Sequence, residues 1–574
     1  MLFSIKNLFP LFLISTLIID CSTPPGGTSS DNILLKVGVI GDSAMVATAH
    51  PLASRVGVDI MRKGGNAFDA AIAVQFTLAV VYPRAGNIGG GGFVVIRESN
   101  GNIASLDFRE MAPTLASKDM YLDENGDVVP GKSTEGRLAC GVPGTVDGMY
   151  KLHEKYGSMA MSELIQPSIF LADQGFTLTV DEAQNLNRFQ EDFKINNSWA
   201  IPTIKETPWQ EGDTIYYKEL AVTLALIRDL GRAGFYEGIV ADQIVKDVRK
   251  GSGIMTMEDL ANYESKWREP VVGQYRNYKI ISMSPPSSGG IALIQLLKGS
   301  EQYPFEDWGH NTFKTLHVMT ELERRVYADR ATYLGDPDYY EVPQEMLLSD
   351  EYLEERFSDI VLNQKTDSKN IKEGIEGAIE SVETTHFSIV DPFGNAIAIT
   401  TTLNNSFGNK VMVRGAGFFL NDEMDDFSLK PGVPNQFGLI GAEANAIAPN
   451  KRMLSSMTPT IVEKDGQLLM LIGTPGGATI ITSVYQTILN VIDHGMTMQE
   501  SVNAKRFHHQ WLPDKVLFEE GGFDTKVISE LTGLGHKFEP VDAIGRMDCI
   551  LVMEDGKIEG ASDITRGDNT ALGF

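Results

Sequence analysis

The residue pattern predicts an α+β architecture in which sheets are covered by helices on their outer faces. Apolar residues recur at helical spacing over residues 52–80 and through much of 144–330, whereas after Thr384 the texture changes to short alternating runs that read as strands. A helical run near Thr479 to His494 falls among those strands. At 574 residues the chain exceeds the size at which one core usually stops growing, so two lobes or one large layered body are expected. Apolar residues, at 43%, supply ample core.

Taken in order, the elements begin with a targeting segment. Lys6 precedes an apolar run from Leu8 to Ile19 that is broken by Pro10 and too short for a membrane span, so residues 1–20 read as a signal peptide. Ser22 to Asn32 is rich in Pro, Gly and Ser, giving a tether over residues 21–36. The protein is therefore expected to be exported, either free in the periplasm or facing it from an anchor. Cys21 follows Leu17-Ile18-Ile19-Asp20 and is similar to a bacterial lipoprotein site, but Asp20 replaces the usual small residue. Lipid anchoring at Cys21 and simple secretion both stay open.

Leu52 to Arg62 reads as a helix ended by Gly64-Gly65, and Asn66 can cap a second helix running to Val80. Gly89 to Gly92 leads into Phe93-Val94-Val95-Ile96; the order of turn then strand argues against a phosphate loop. From Gly144 to Arg330 the pattern is largely helical, for example Thr145 to Tyr156 and Ala221 to Leu230. A strand is expected near Lys279 to Met283 and a Pro/Ser/Gly turn over Ser284 to Gly290. Lys365 to Glu383 is polar without periodicity and reads as a flexible loop. Strands follow at Phe387 to Asp391, Ala396 to Leu403, Thr460 to Glu463 and Leu468 to Gly473, and again after Cys549.

A net charge of -27 argues against nucleic acid as a partner, because phosphates would be repelled. Cys21, Cys140 and Cys549 cannot form a disulfide framework. His508-His509 is the only histidine cluster and reads as structural hydrogen bonding, so no metal site is expected.

The chemistry starts at a hairpin. Asp391-Pro392-Phe393-Gly394 has the pattern of a three-residue loop closed by a left-handed glycine, which sets Asp391 opposite Asn395. Counting outward puts Thr384 across from Thr402, roughly 5 Å away between Cβ atoms. A threonine hydroxyl needs a base, and its own α-amino group serves only if that threonine begins a chain. An ordinary sheet hairpin explains the same local pattern.

Further segments carry more. They are Leu403-Asn404, Asn421-Asp422-Glu423-Met424-Asp425-Asp426-Phe427-Ser428, Pro449 to Met457 and Gly473-Thr474-Pro475-Gly476-Gly477, with Ala85 to Phe93 and Asp107-Phe108-Arg109-Glu110-Met111-Ala112-Pro113 upstream. Together they closely resemble γ-glutamyltranspeptidase, also called glutathione hydrolase, a self-cleaving N-terminal nucleophile family, from about Ala47 to Phe574.

The resemblance implies a four-layer αββα sandwich built jointly by a large subunit (37–383) and a small one (384–574), after autocleavage between Glu383 and Thr384. It implies Thr384 as nucleophile, supported by Thr402, with Gly476 and Gly477 as oxyanion donors. A γ-glutamyl donor presents an α-carboxylate, suited to Arg109, Ser455 and Ser456, and an α-ammonium, suited to Asp426, Glu423 and Asn404. Strand alternation adds that Asn404 shares the face of Thr402 and opposes Val382. The implied partners are glutathione and γ-glutamyl compounds, with water, amino acids or peptides as acceptors, and no cofactor. Two departures stand out: Glu423 where many bacterial members carry glutamine, and Phe437 in the lid, Lys430 to Lys451, where a tyrosine is usual. Two other readings are a glutaryl-type β-lactam acylase and an uncleaved surface binding protein.

Overall fold

The computed structural model describes residues 36–371, 384–436, 438–563, 565 and 567–574. Two seven-stranded sheets make its centre. The first runs Thr570–Gly573, Met45–Thr48, Thr384–Val390, Ala396–Thr402, Gly91–Arg97, Ile103–Asp107, Lys266–Arg268. The second runs Val39–Gly41, Ile558–Ser562, Asp548–Val552, Gln467–Ile472, Thr460–Lys464, Tyr278–Ser282, Val271–Tyr275. Neighbouring strands in both are antiparallel.

Period-two alternation sorts the central strands between two cores. Phe387, Ile389, Ile397 and Ile399 join the core beneath helices Pro51–Arg62 and Ala67–Val81. Val390, Ala396, Ala398, Phe93 and Val95 turn the other way and pack with Ile461 and Leu471 of the second sheet. Helices Gly289–Ser300, Phe313–Tyr333 and Thr479–Ile492 cover that sheet's outer side. The order is helix, sheet, sheet, helix, so of the two expected outcomes the layered body is the one formed.

Local chemistry explains the first helices. Pro51 starts one, with His50 Nδ1 accepting from the Leu52 N–H at 3.1 Å. Asn66 and Asp69 form a reciprocal capping box on the next, in which every residue is buried because helices and sheet enclose it.

Two expectations need correction. The turn predicted over Ser284 to Gly290 gives way to helix at Gly289, with Ser288 at the N-cap position and its side chain making no cap hydrogen bond. The loop predicted over Lys365 to Glu383 is anchored in its first part: Arg324 donates to Ser368 Oγ, Trp511 Nε1 donates to Ser368 O at 2.9 Å, and Lys365 pairs with Asp514 at 2.6 Å. These partners lie far along the chain, so local composition could not reveal them. Residues 372–383, with Glu383, and residues 1–35, with Cys21, lie outside the described residues. Among the described residues no helix is long and apolar enough to cross a membrane, and Cys140 and Cys549 are buried and free.

Candidate active site

The hairpin has the predicted geometry. Asp391 N–H donates to Asn395 O at 3.0 Å, Gly394 N–H donates to Asp391 O at 3.1 Å, and Gly394 sits at φ +87°. Thr384 is therefore paired with Thr402, and their hydroxyl oxygens are 3.5 Å apart. Both strands belong to the middle of the sheet, so the hydroxyls are buried and their rotamers are constrained by neighbours.

Alternation brings His386 and Ser388 to the same side of the strand as Thr384. His386 Nδ1 lies 2.9 Å from Thr400 Oγ1 and Nε2 3.0 Å from Ser388 Oγ, whose proton goes to Asp548 O in the second sheet at 3.0 Å. Burial pushes its pKa down to about 3, so the ring is neutral with both nitrogens engaged. It orients and packs, and is not an idle base for Thr384.

Beside the threonines is a cavity of about 370 Å³ bordered by Thr384, Thr402, Asn404, Arg109, Glu423, Asp426, Ser455, Ser456 and Gly477. Each was singled out by sequence. Gly476 does not border it, and Phe437 lies outside the described residues. Arg330 and Leu439 also line it and were not foreseen. Leu439 belongs to the lid segment, which is tied to the floor by Asn435 Nδ2 to Asp426 Oδ1 at 3.5 Å and Gln436 N–H to Asp425 Oδ2 at 3.1 Å.

Arg109 is fully buried, so it is no surface ion pair. Its guanidinium donates to Glu423 and Asp426, to Glu110 at 3.3 Å, and to the carbonyls of Met453 at 3.3 Å and Leu454 at 3.4 Å. The guanidinium expected to suit a substrate carboxylate is thus already engaged by the site's own acids. Burial opposes its charge, but Glu423, Asp426 and Glu110 outweigh that and raise its pKa. Burial likewise raises the carboxyls: Glu110 up to about 7, Glu423 well above its ordinary value, and Asp426 in the same direction, each partly offset by Arg109.

Asn404 corrects the strand extrapolation. The strand ends at Thr402, and Asn404 takes a left-handed backbone at φ +74°. This turn sends its N–H to Thr402 Oγ1 at 2.8 Å and its Nδ2 to Asp422 O at 2.9 Å. Thr402 is thereby held by Asn404, a contact that strand alternation did not foresee, and Val382, expected opposite Asn404, lies outside the described residues.

Two asparagines hold the frame, roles that sequence reasoning missed. Asn87 donates to Thr402 O at 2.9 Å and accepts from Gly90 N–H at 3.0 Å. Asn421 donates to the carbonyls of Gly89 and Gly141 at 2.9 Å each and accepts from Glu423 N–H at 3.1 Å. The glycine run exists for close approach: a Cβ on Gly90 would stand 2.0 Å from Thr402 O.

Gly476 and Gly477, at φ +142° and +53°, lead into helix Thr479–Ile492. Among the described residues neither N–H donates a hydrogen bond, while Gly476 O is tied back by Thr479 Oγ1 at 2.7 Å. Free donors at a helix start suit a developing oxyanion.

Histidines elsewhere are structural. His508 lies 2.9 Å from Thr482 Oγ1 and 2.8 Å from Gln510 Oε1, and His509 lies 3.2 Å from Asp514. His317, Glu321 and His536 have ligand-type atoms within 4.8 Å of one another. The two rings bond to each other at 2.9 Å, Glu321 pairs with Arg324 at 3.2 Å and Arg325 at 2.8 Å, and His536 Nδ1 is left without a hydrogen-bond partner among the described residues.

The Gamma-glutamyltranspeptidase family profile matches residues 53–573. The chain is 44% identical over 532 residues to the glutathione hydrolase proenzyme of Escherichia coli (strain K12), covering 92% of each. Against the acylase ACY 1 proenzyme of Pseudomonas sp. (strain V22) it is 34% identical, covering 94% of each. The crystal structure of cephalosporin acylase from Bacillus halodurans matches with a TM-score of 0.81 at 26% identity, over 97% of this chain and 99% of that one. The layered architecture is that of the N-terminal nucleophile hydrolases. With this likeness running almost end to end and a threonine pair at the edge of an ion-lined cavity, the chain belongs to the γ-glutamyltranspeptidase family.

Proposed function

We propose that this protein is a self-processing γ-glutamyltransferase and glutathione hydrolase. The observation that carries the reading is the 3.5 Å approach of the Thr384 and Thr402 hydroxyls beside a cavity that holds both a guanidinium and carboxylates. Thr384 Oγ attacks the Glu383 carbonyl, the peptide nitrogen leaves as the Thr384 amine, and water hydrolyses the resulting ester. Two subunits, 37–383 and 384–574, result. The new amine then takes the proton of the same residue's hydroxyl as it attacks the γ-carbonyl of glutathione or another γ-glutamyl compound.

Gly476 and Gly477 N–H groups receive the oxyanion. Ser455, Ser456 and Arg109 meet the α-carboxylate, and Glu423, Asp426 and the Asn404 carbonyl meet the ammonium. Since Arg109 is already paired with Glu423 and Asp426, a zwitterionic donor exchanges one set of ion pairs for another, bringing a charge of each sign. Cysteinylglycine or an amine departs, and water or an amino acid or peptide resolves the ester. The route calls on no metal or organic cofactor. Export through a signal peptide at 1–20, with 21–36 as tether and Cys21 as a possible anchor, completes the proposal.

A glutaryl-type acylase would take donors without an α-ammonium, which leaves the excess of carboxylates around one arginine, Glu110 and Glu423 buried and Asp426 partly so, without purpose. Comparing γ-glutamyl with glutaryl anilides separates the two. The principal experiment is N-terminal sequencing of the small fragment, which should begin at Thr384, alongside Thr384→Ala, which should remain full length and inactive. A cleaved, active Thr384→Ala protein would overturn the mechanism.

A further inference from the structure

Arg330 differs from Arg109 in its company. It lies in helix Phe313–Tyr333, is buried, and borders the cavity. Its guanidinium makes two hydrogen bonds, Nε to Ser288 Oγ and one terminal nitrogen to Ser456 Oγ, both at 3.0 Å. Among the described residues it has no carboxylate within ion-pair distance, although Asp426 borders the same cavity. A buried cation met only by hydroxyls is incompletely compensated, and an anion entering the cavity completes it.

The hydroxyl geometry adds direction. A guanidinium is donor-only, so Ser456 Oγ must accept from it and its proton is available to another acceptor. Among the described residues none takes it. Ser288 Oγ accepts from Arg330 and donates to Ser455 O at 2.7 Å, while Ser288 N–H donates to the same carbonyl at 2.8 Å. One side chain therefore braces both serines of the cavity wall, one directly and one through the helix cap.

We propose that Arg330 is a positioning residue for donor recognition: it fixes the Ser455-Ser456 segment, frees the Ser456 proton, and supplies the positive field in which the donor's α-carboxylate settles. The inference rests on the γ-glutamyl reading of the site and assigns carboxylate selectivity to a residue outside the set read from sequence. Three anilides test it: γ-glutamyl (both charges), glutaryl (carboxylate alone) and 4-aminobutyryl (ammonium alone).

In Arg330→Gln, KM for the two carboxylate-bearing donors should rise about 10- to 100-fold, the range for a charge-assisted hydrogen bond, with little change for the third. Combining it with Ser456→Ala should cost less than the two single effects multiplied, since both act on one contact. Arg330→Lys, retaining charge without the fork, should show the same selectivity to a smaller degree and serves if the glutamine variant fails to yield both fragments. Equal loss on all three donors, or no change, would overturn the role. Absence of γ-glutamyl activity in the unaltered protein would instead overturn the function it rests on.

Discussion

The acids around Arg109 make donor binding pH-dependent. Burial raises Glu110 to about 7 and shifts Glu423 and Asp426 upward, so acidification protonates this cluster before ordinary carboxyls. A neutral carboxyl no longer balances the donor's ammonium. KM for a γ-glutamyl anilide should therefore climb on acidification at a higher pH than ordinary carboxyls would dictate, because burial holds Glu423 and Asp426 above their usual range, while KM for a glutaryl anilide should not. Asp426→Asn should raise the γ-glutamyl KM by roughly 10- to 100-fold at neutral pH, again without the glutaryl effect. Steady-state kinetics across pH with both donors checks each expectation.

What sequence could reveal at this scale follows from locality. Thr384 opposite Thr402 was legible because turn chemistry fixes register residue by residue. Asn404 was misplaced because alternation was extended past the end of the strand, and a left-handed residue reverses such a pattern. Arg330 carried no local mark, since it reads as one more polar position on a long helix and gains meaning only when Ser456 folds against it.

Among elements, the hairpin and the glycine turn work as one unit. Strand Gly91–Arg97 pairs along the whole of Ala396–Thr402, and the turn before it presses its backbone against the Thr402 carbonyl. Gly90→Ala would drive a methyl to 2.0 Å from that oxygen and push Thr402 away from Thr384. Processing should slow sharply, visible as persistent full-length chain on a denaturing gel. Gly533→Ala is the control, because nothing lies within 4 Å of its added methyl and it sits in helix Thr525–Gly533. The strands and early helices were legible from their periods and caps, whereas the tethering of residues 365–371 depends on Trp511, Arg324 and Asp514. No window of sequence contains such partners together.

For the whole molecule, buried acids shape stability. Burial raises Asp425 from 3.8 to about 7, although Ser133 Oγ donates to it at 2.6 Å. The folded state holds this proton more tightly than the unfolded chain. Its stabilising contribution is thus complete below 3.8 and is lost as pH rises through about 7. Asp425→Asn should flatten that dependence, so the fall in Tm from pH 5 to pH 8 should be smaller than in the parent. The difference corresponds to a free energy on the order of 2–4 kcal/mol. Scanning calorimetry at the two pH values measures it.

The strand bearing Thr384 lies between Met45–Thr48 and Ala396–Thr402, and the latter lies against Gly91–Arg97. A gene cut short at residue 383 would thus leave Met45–Thr48 and Gly91–Arg97 with bare, apolar edges, a template for sticking to other copies. Each portion of the chain serves as the other's solubilising partner, and expressing either alone should give aggregate rather than half an enzyme.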